Sequence, residues 1–140
     1  ALGAQGINMG TRFCATQEAP IHDKIKQALI HATERDTHLI FRSLRNTGRV
    51  LKNAVSDEVV ATERRPGGCA FDDIRALVAG ARGRSTLESG EIDAGLIWAG
   101  QVVGLIDDVP TCNELIRRIV SECHLRLQSA AMCFDELEYA

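Results

Sequence analysis

The chain has 140 residues, of which 45% are hydrophobic and 25% are charged, as is usual for one soluble globular domain. Sixteen basic and nineteen acidic residues give a formal net charge of −3. The basic residues are scattered and aromatic residues are few, which argues against nucleic-acid binding. The densest basic cluster has the spacing of one solvated helical face: Arg42, Arg45, Arg49 and Lys52.

The cysteines and the apolar runs bear on the compartment. The five cysteines are odd in number and contain no C-x-x-C pair, so neither a disulfide framework nor a zinc site is indicated. The most apolar run, residues 96–106, is shorter than the ~20 residues that a membrane-spanning helix needs. The first residues lack the basic and apolar regions of a signal peptide. We therefore expect a cytoplasmic protein.

The first elements are a strand and a helix. Side chains alternate through residues 7–13, which predicts a strand. Pro20 stands where a first helical residue should, and apolar residues then recur at helical spacing from Ile21, so we predict a helix that ends near Glu34. The apolar stretch at residues 38–44 is either a strand or an ordered connection.

Two further helices are predicted in the middle of the chain. Apolar residues at helical spacing predict one over residues 46–63, with Asn46 or Thr47 as its N-cap. A second is predicted to begin at Asp72 and to stop at Gly80. Residues 84–93 are polar and are predicted to form a loop.

The last third of the chain contains glycines in an apolar run and then a capping box. Gly95, Gly100 and Gly104 interrupt residues 94–110, and glycines at such positions indicate that another helix or a ligand approaches the backbone closely. Thr111 and Glu114 have the T-x-x-E spacing of a capping box, which predicts a final helix through residues 113–128.

The opening strand raises the question of its partners. One strand cannot satisfy its own backbone N–H and C=O groups, so it needs a sheet supplied from elsewhere. At its far end stand Met9, Gly10 and Thr11, where two backbone N–H groups and a hydroxyl are able to cradle a phosphate. A plain turn is the alternative interpretation of the same residues.

The segments "GINMGTRFCATQEAPIH", "FRSLRNTGRVLKNAVSDEVV", "DDIRALVAGARGR" and "DAGLIWAGQVVGLIDDVPTCNELI" resemble the C-terminal part of the nitronate monooxygenases, formerly called 2-nitropropane dioxygenases. M-G-T-R-F followed by R-S-L-R-N-T is the most specific part of this resemblance. The similarity extends over nearly all of residues 1–119, whereas the tail from His124 diverges.

The resemblance implies an α/β fold, in which this chain is the C-terminal fragment of an FMN-binding (β/α)₈ TIM barrel with an inserted helical domain. Residues 1–33 would hold the last barrel strand, at about residues 7–13, and its following helix. Residues 34–110 would form the inserted domain, and residues 111–140 the last barrel helix and a tail. The isolated chain would be mostly α-helical with one or two strands.

The resemblance also implies which residues contact the cofactor. Gly10 and Thr11 match positions at the FMN phosphate, with Met9 beside them. Residues 98–101, including Gln101, resemble a segment near the flavin and substrate pocket. The family's catalytic histidine is expected in a part that would precede this chain, and none of His22, His31, His38 and His124 takes its place. We therefore assign no catalytic residue and no metal site.

The activity implied is the FMN-dependent oxidation of alkyl nitronates by O₂ to a carbonyl compound and nitrite. Two alternatives stay open: an NAD(P)H:quinone or NAD(P)H:flavin reductase on the same scaffold, and a non-catalytic helical interaction module. Either way, the single strand and the apolar helix faces imply that the rest of a barrel, or a second copy of the chain, completes the fold.

Overall fold

A computed structural model describes the backbone of residues 3–135 and the side chains of residues 3–132. The described helices are α1 (Thr11–Cys14), α2 (Asp23–His31), α3 (Ala54–Glu63), α4 (Phe71–Ile74), α5 (Gly80–Ser89) and α6 (Cys112–Asp135). The strands β1 (Thr37–Ile40) and β2 (Gly48–Leu51) lie between α2 and α3, and 3₁₀ turns cover Ile92–Ala94 and Gln101–Leu105. The predicted mostly helical chain with two strands is therefore observed.

A β-hairpin occupies the centre of the fold. β1 and β2 pair antiparallel, with Thr37 opposite Leu51 and Ile40 opposite Gly48. Residues 97–99 extend this hairpin, because the Leu51 N–H donates to the Ile97 carbonyl at 2.8 Å and the Ala99 N–H donates to the Arg49 carbonyl at 3.3 Å. The open choice at residues 38–44 is thus settled in favour of a strand at their start.

The predicted helix over residues 46–63 is wrong in its first half. Residues 48–51 form β2, because pairing with β1 and with residues 97–99 outweighs the helical spacing of their apolar side chains. Helix α3 begins after Asn53, not at Asn46 or Thr47. Asn53 Oδ1 accepts a hydrogen bond from the Ser56 N–H at 2.8 Å, and the Asn53 N–H donates to Ser56 Oγ at 2.9 Å.

The predicted stop at Gly80 is also wrong. Gly80 begins α5, and most of the polar stretch predicted as a loop lies within that helix. The predicted helix from Asp72 is reduced to the single turn of α4. The glycine that does end α5 is Gly90, whose φ of 78° gives the left-handed C-cap that glycine favours.

The predicted strand at residues 7–13 is not observed. Residues Thr11–Cys14 form a helical turn, in which the Phe13 and Cys14 N–H groups donate to the Gly10 carbonyl. Within the described residues no neighbouring strand pairs with residues 4–10. A ladder needs such a neighbour, so the alternating pattern alone does not produce a strand here.

Two hydrophobic clusters form the core, and the hairpin separates them. One lies between α2 and the segment that follows residue 96; its buried members are Ala15, Ile25, Leu29, Leu51, Ile97, Ala99, Val103 and Ile106. The other lies between the hairpin, α3 and α4; its buried members are Ile40, Val50, Val55, Val59, Val60, Ile74 and Leu96. The first cluster joins residues 1–33 to residues 34–110, and the division into three parts stays a prediction.

The capping box of the last helix is confirmed. The Thr111 N–H donates to Glu114 Oε2 at 2.8 Å, and the Glu114 N–H donates to Thr111 Oγ1 at 3.2 Å. Leu115 is buried, but every side chain from Val120 to Met132 is exposed. Residues 136–140 of the divergent tail lie outside the described residues. Within the described chain, no helix is both long enough and apolar enough to cross a membrane.

Close approach at the glycines is confirmed for two of the three. A Cβ on Gly95 would lie 2.6 Å from Thr86 Oγ1 and 2.8 Å from the Arg82 carbonyl oxygen, both in α5. A Cβ on Gly104 would lie 2.6 Å from the Glu34 backbone nitrogen. Gly100 has more room, since its nearest neighbour would be Thr11 Oγ1 at 3.7 Å. Packing of the chain on itself therefore accounts for Gly95 and Gly104.

We predict that Gly95→Ala lowers the free energy of unfolding by about 1–3 kcal/mol, because the added methyl group overpacks the contact with α5. Gly80→Ala is the matched control, since a Cβ there meets no heavy atom within 4 Å. That control should leave the free energy of unfolding unchanged or raise it by up to about 1 kcal/mol. Urea titrations followed by circular dichroism measure both, and equal midpoints would contradict the prediction.

Candidate functional site

Two segments that are far apart in sequence meet at one corner of the fold. The Gly100 N–H donates a hydrogen bond to Thr11 Oγ1 at 3.0 Å, which joins α1 to the turn Gln101–Leu105. We call residues 10, 11, 100 and 101 the Thr11–Gly100 corner. The structure therefore brings together three of the four residues predicted to bind a cofactor: Gly10, Thr11 and Gln101.

The corner is open to solvent on its Gly10 side. Gly10 is exposed, and a Cβ built on it would meet no heavy atom within 4 Å. The Thr11 side chain is half-buried, and its oxygen accepts the Gly100 N–H, so the hydroxyl hydrogen is left to donate. Gln101 is exposed beside it. Such an arrangement presents a hydrogen-bond donor next to space that an anionic group is able to enter.

Met9 faces an apolar groove formed with α6. This groove has a volume of about 490 Å³ and is lined by Ile7, Met9, Ile116, Ile119, Val120, Cys123, His124 and Leu127. Met9 is half-buried there, whereas Ile7 and Val120 are 72% and 63% exposed. Its side chain thus belongs to the apolar groove, although its backbone leads directly into the corner.

The corner is anchored to the start of α6 by a charged network. Arg12 donates to the Asp108 backbone oxygen at 3.0 Å and to its Oδ1 at 2.5 Å. Arg118 of α6 binds the other carboxylate oxygen of Asp108 at 2.8 Å. Partial burial raises the pKa of Asp108, but the hydrogen bonds and charges of Arg118 and Arg12 outweigh it and hold that pKa below its usual value.

A second carboxylate fixes the beginning of α6. The Cys112 N–H donates to both Oε atoms of Glu18 at 2.9 Å, and this bond lowers the pKa of Glu18. The Gln17 N–H also donates to the Pro110 carbonyl at 2.9 Å. The loop between α1 and α2 and the entry to α6 therefore hold one another in place, with the corner beside them.

Sequence reasoning missed this network because no local pattern marks it. Asp108 is 96 residues from Arg12 and 10 residues from Arg118, and neither spacing corresponds to a neighbouring position on one helix or strand. The only available signal was an aspartate shortly before a capping box. That signal does not say which basic residues would bind it.

The basic cluster of the middle segment is not one helical face, so that interpretation is wrong. Arg42 follows β1 and Arg49 lies on β2, and these two line one cavity together with Arg64 at the end of α3. Arg49 is half-buried and donates to Thr37 Oγ1 at 2.7 Å. A β-hairpin places these residues where a helix would not, because its strands fold back on each other.

The four histidines lie in separate places. His22 caps α2 by accepting the Lys24 N–H at 3.1 Å, and a His31 ring nitrogen lies 2.7 Å from the Gln27 carbonyl oxygen. His38 Nε2 lies 2.7 Å from Asp57 Oδ1. His124 lines the apolar groove. No catalytic role is assigned to any of them.

We predict that the stability of the fold declines in acid partly through Asp108. A carboxylate whose pKa is lowered by folding stabilises the fold at neutral pH, and that contribution is lost as the pH falls below about 4 toward the folded-state pKa. Asp108→Asn should lower the free energy of unfolding by about 1 kcal/mol at pH 7. The difference from the wild type should shrink toward pH 3.

Denaturant titrations between pH 3 and pH 7 measure this effect. Asp107→Asn is the matched control, because Asp107 is exposed and forms no ion pair within 4 Å among the described residues. An Asp108→Asn curve that stayed parallel to the wild-type curve over the whole range would contradict the assignment.

Comparison with known proteins identifies the family. The sequence profile described as nitronate monooxygenase matches residues 1–122. A nitronate monooxygenase from Paraburkholderia phytofirmans is 30% identical over 87% of this chain and 32% of its own length. A Rhodococcus jostii protein named (3aS,4S,5R,7aS)-5-hydroxy-7a-methyl-1-oxo-octahydro-1H-indene-4-carboxyl-CoA dehydrogenase is 26% identical over 92% of this chain and 46% of its own length.

A solved structure shares the fold. FabK from Thermotoga maritima superposes with a TM-score of 0.81 at 26% identity, over 91% of this chain and 40% of its own. The chain thus spans less than half the length of each of these three proteins. Its profile match and its shared fold agree with the resemblance carried by residues 9–13 and 42–47. The chain belongs to the nitronate monooxygenase family.

Proposed function

We propose that this chain is the C-terminal, cofactor-contacting part of an FMN-dependent oxidoreductase that oxidises alkyl nitronates with O₂. The observation that carries the proposal is the hydrogen bond between the Gly100 N–H and Thr11 Oγ1, which unites the two segments predicted to contact the flavin. Relatives whose names are those of oxidoreductases support the broader class. The relatives named nitronate monooxygenase favour the nitronate substrate.

The residues of the corner fit a phosphate group. Gly10 leaves space for it, and the Thr11 hydroxyl is positioned to donate a hydrogen bond to one of its oxygens. Gln101 would contact the cofactor from the neighbouring turn. Bound FMN would accept electrons from the substrate and pass them to O₂. The chain's own task would be to bind and orient this cofactor, because it assigns no acid or base to the reaction.

We further propose that the apolar groove packs against the other strands of a TIM barrel. Ile7, Val120 and Leu127 line the groove and are 72%, 63% and 51% exposed, so a large apolar face is uncovered. Faces of this kind on a domain normally meet another protein surface. The groove lies directly before the Thr11–Gly100 corner, so the same partner would flank the cofactor. The expected inserted domain at residues 34–110 belongs to this proposal.

A CoA-thioester dehydrogenase is the second candidate. The relatives from Rhodococcus jostii and Mycobacterium tuberculosis carry that name, and both align with 92% of this chain. The reductase alternative, with NAD(P)H and a quinone or free flavin, uses the same corner. The interaction-module alternative keeps the apolar groove but needs no cofactor. A cytoplasmic location is part of the proposal, and four unpaired cysteines in the described chain support it.

A hybrid protein tests the proposal. Residues 1–122 would replace the aligned C-terminal part of the Paraburkholderia phytofirmans enzyme, and the purified hybrid would be assayed for flavin content and for O₂ uptake with an alkyl nitronate. We expect bound FMN and nitronate-dependent turnover. A hybrid that melts cooperatively yet holds no flavin would refute the cofactor role, and one that is active only with NAD(P)H or a CoA thioester would favour the alternatives.

We predict that Thr11→Val in this hybrid weakens FMN binding about tenfold, because it removes a hydrogen bond to the phosphate and the contact that positions Gly100. Thr47→Val is the matched control, since Thr47 is exposed in the turn before β2. Quenching of flavin fluorescence gives both dissociation constants. Equal constants for the two variants would show that Thr11 does not contact the cofactor.

A further inference from the structure

The largest cavity described lies on the far side of the hairpin from α2. It has a volume of about 630 Å³ and is lined by Thr37, His38, Leu39, Arg42, Ser43, Arg49, Val60, Glu63 and Arg64. We call it the arginine cavity. Its size falls within the range of about 300–1,000 Å³ typical of small-molecule sites. None of the residues assigned to the flavin lines it.

The three arginines of this cavity have no carboxylate partner. Within residues 3–132, no ion pair within 4 Å involves Arg42, Arg49 or Arg64. Arg49 uses one nitrogen to donate to Thr37 Oγ1, and Arg42 and Arg64 are exposed. Guanidinium groups without carboxylate partners are the residues best suited to bidentate contacts with phosphate oxygens.

The carboxylate in the cavity, Glu63, does not neutralise these arginines. Its Oε2 accepts the Phe41 N–H at 2.9 Å, and its Oε1 accepts the Ser43 N–H at 3.2 Å and the Ser43 hydroxyl at 2.6 Å. Glu63 is therefore occupied in holding the loop that follows β1. Because Arg42 belongs to that loop, the clamp also fixes where Arg42 leaves the backbone.

Two residues of this loop have strained backbones. Phe41 has a φ of 61° and Arg45 has a φ of 55°, in the left-handed region that side chains other than glycine rarely adopt. The Glu63 clamp and the Phe41 carbonyl, which accepts the Leu44 and Asn46 N–H groups, hold the loop in this conformation. The cavity is thus preformed on its loop side.

The arginine cavity is connected to the Thr11–Gly100 corner by direct backbone contact. The Arg49 carbonyl accepts the Ala99 N–H at 3.3 Å, and the next residue, Gly100, donates to Thr11 Oγ1. One strand segment therefore links a basic cavity to the corner. A ligand bound by its phosphates in the cavity would lie on the structural unit that also forms the corner.

We propose that the arginine cavity binds the diphosphate of an adenosine nucleotide. Arg42, Arg49 and Arg64 contact the phosphate oxygens, the Ser43 and Thr37 hydroxyls lie beside them, and Leu39 and Val60 supply an apolar wall for the base. Leu39 is 36% exposed, so it is available for that contact. This site goes beyond the proposed flavin function and does not depend on it. Its ligand arrives as a free nucleotide, a pyridine dinucleotide or a CoA thioester.

Isothermal titration of the 140-residue chain with ADP tests the proposal. We expect saturable binding that weakens as salt is raised, because the contacts are charged and partly exposed. Arg42→Gln and Arg64→Gln should each weaken ADP binding about tenfold, the loss expected for one charge-assisted contact. Arg84→Gln is the matched control, since Arg84 is an exposed arginine of α5 outside the cavity and its substitution changes the net charge equally.

Further titrants decide between sources and can overturn the proposal. Tighter binding of coenzyme A than of ADP assigns the site to a CoA thioester, and tighter binding of NADPH assigns it to a reductant; both outcomes support it. Adenosine binding as tightly as ADP would overturn it, as would inorganic phosphate or citrate binding as tightly. Equal effects of Arg84→Gln and of the two cavity variants would overturn it as well. Loss of FMN from the hybrid has no bearing on these results.

Discussion

The backbone contact between β2 and residues 97–99 is the constraint on which the rest of the fold depends. It sets Leu51 and Ile97 into one hydrophobic cluster and Val50 and Leu96 into the other, so both clusters are built on the same segment. It also places Gly100 where its N–H reaches Thr11. A chain of modest size gains most from such a shared element, because its two small cores then stabilise each other.

Charged residues complete what the hydrophobic clusters begin. Asp108 receives Arg12 from one side and Arg118 from the other, so it ties the Thr11–Gly100 corner to the long helix α6. Glu63 performs a comparable task at the other end of the molecule, where it holds the loop that carries Arg42. In both places a carboxylate accepts several hydrogen bonds, and the position of a neighbouring arginine follows from them.

The agreement between sequence and structure differs from element to element for physical reasons. The Thr111–Glu114 capping box was predictable because both partners lie within one helical turn. The close approach at Gly95 and Gly104 was predictable because an apolar run has few other uses for glycine. β2 was not predictable, because the spacing of its apolar residues also suits a helix and only pairing with distant residues decides between the two. The strand predicted for residues 7–13 failed for the opposite reason, since an alternating pattern does not provide a partner.

The sequence by itself determined the family, the last helix and its cap, and three of the residues that meet at the corner. These features depend on contacts within a few residues of each other, or on motifs long enough to be specific. Only the tertiary structure decided that Thr11 binds the Gly100 N–H, that Met9 faces an apolar groove, and that three arginines share one cavity. Each of these depends on contacts between residues far apart in the chain, and their geometry is fixed when the hairpin folds and not by any local pattern.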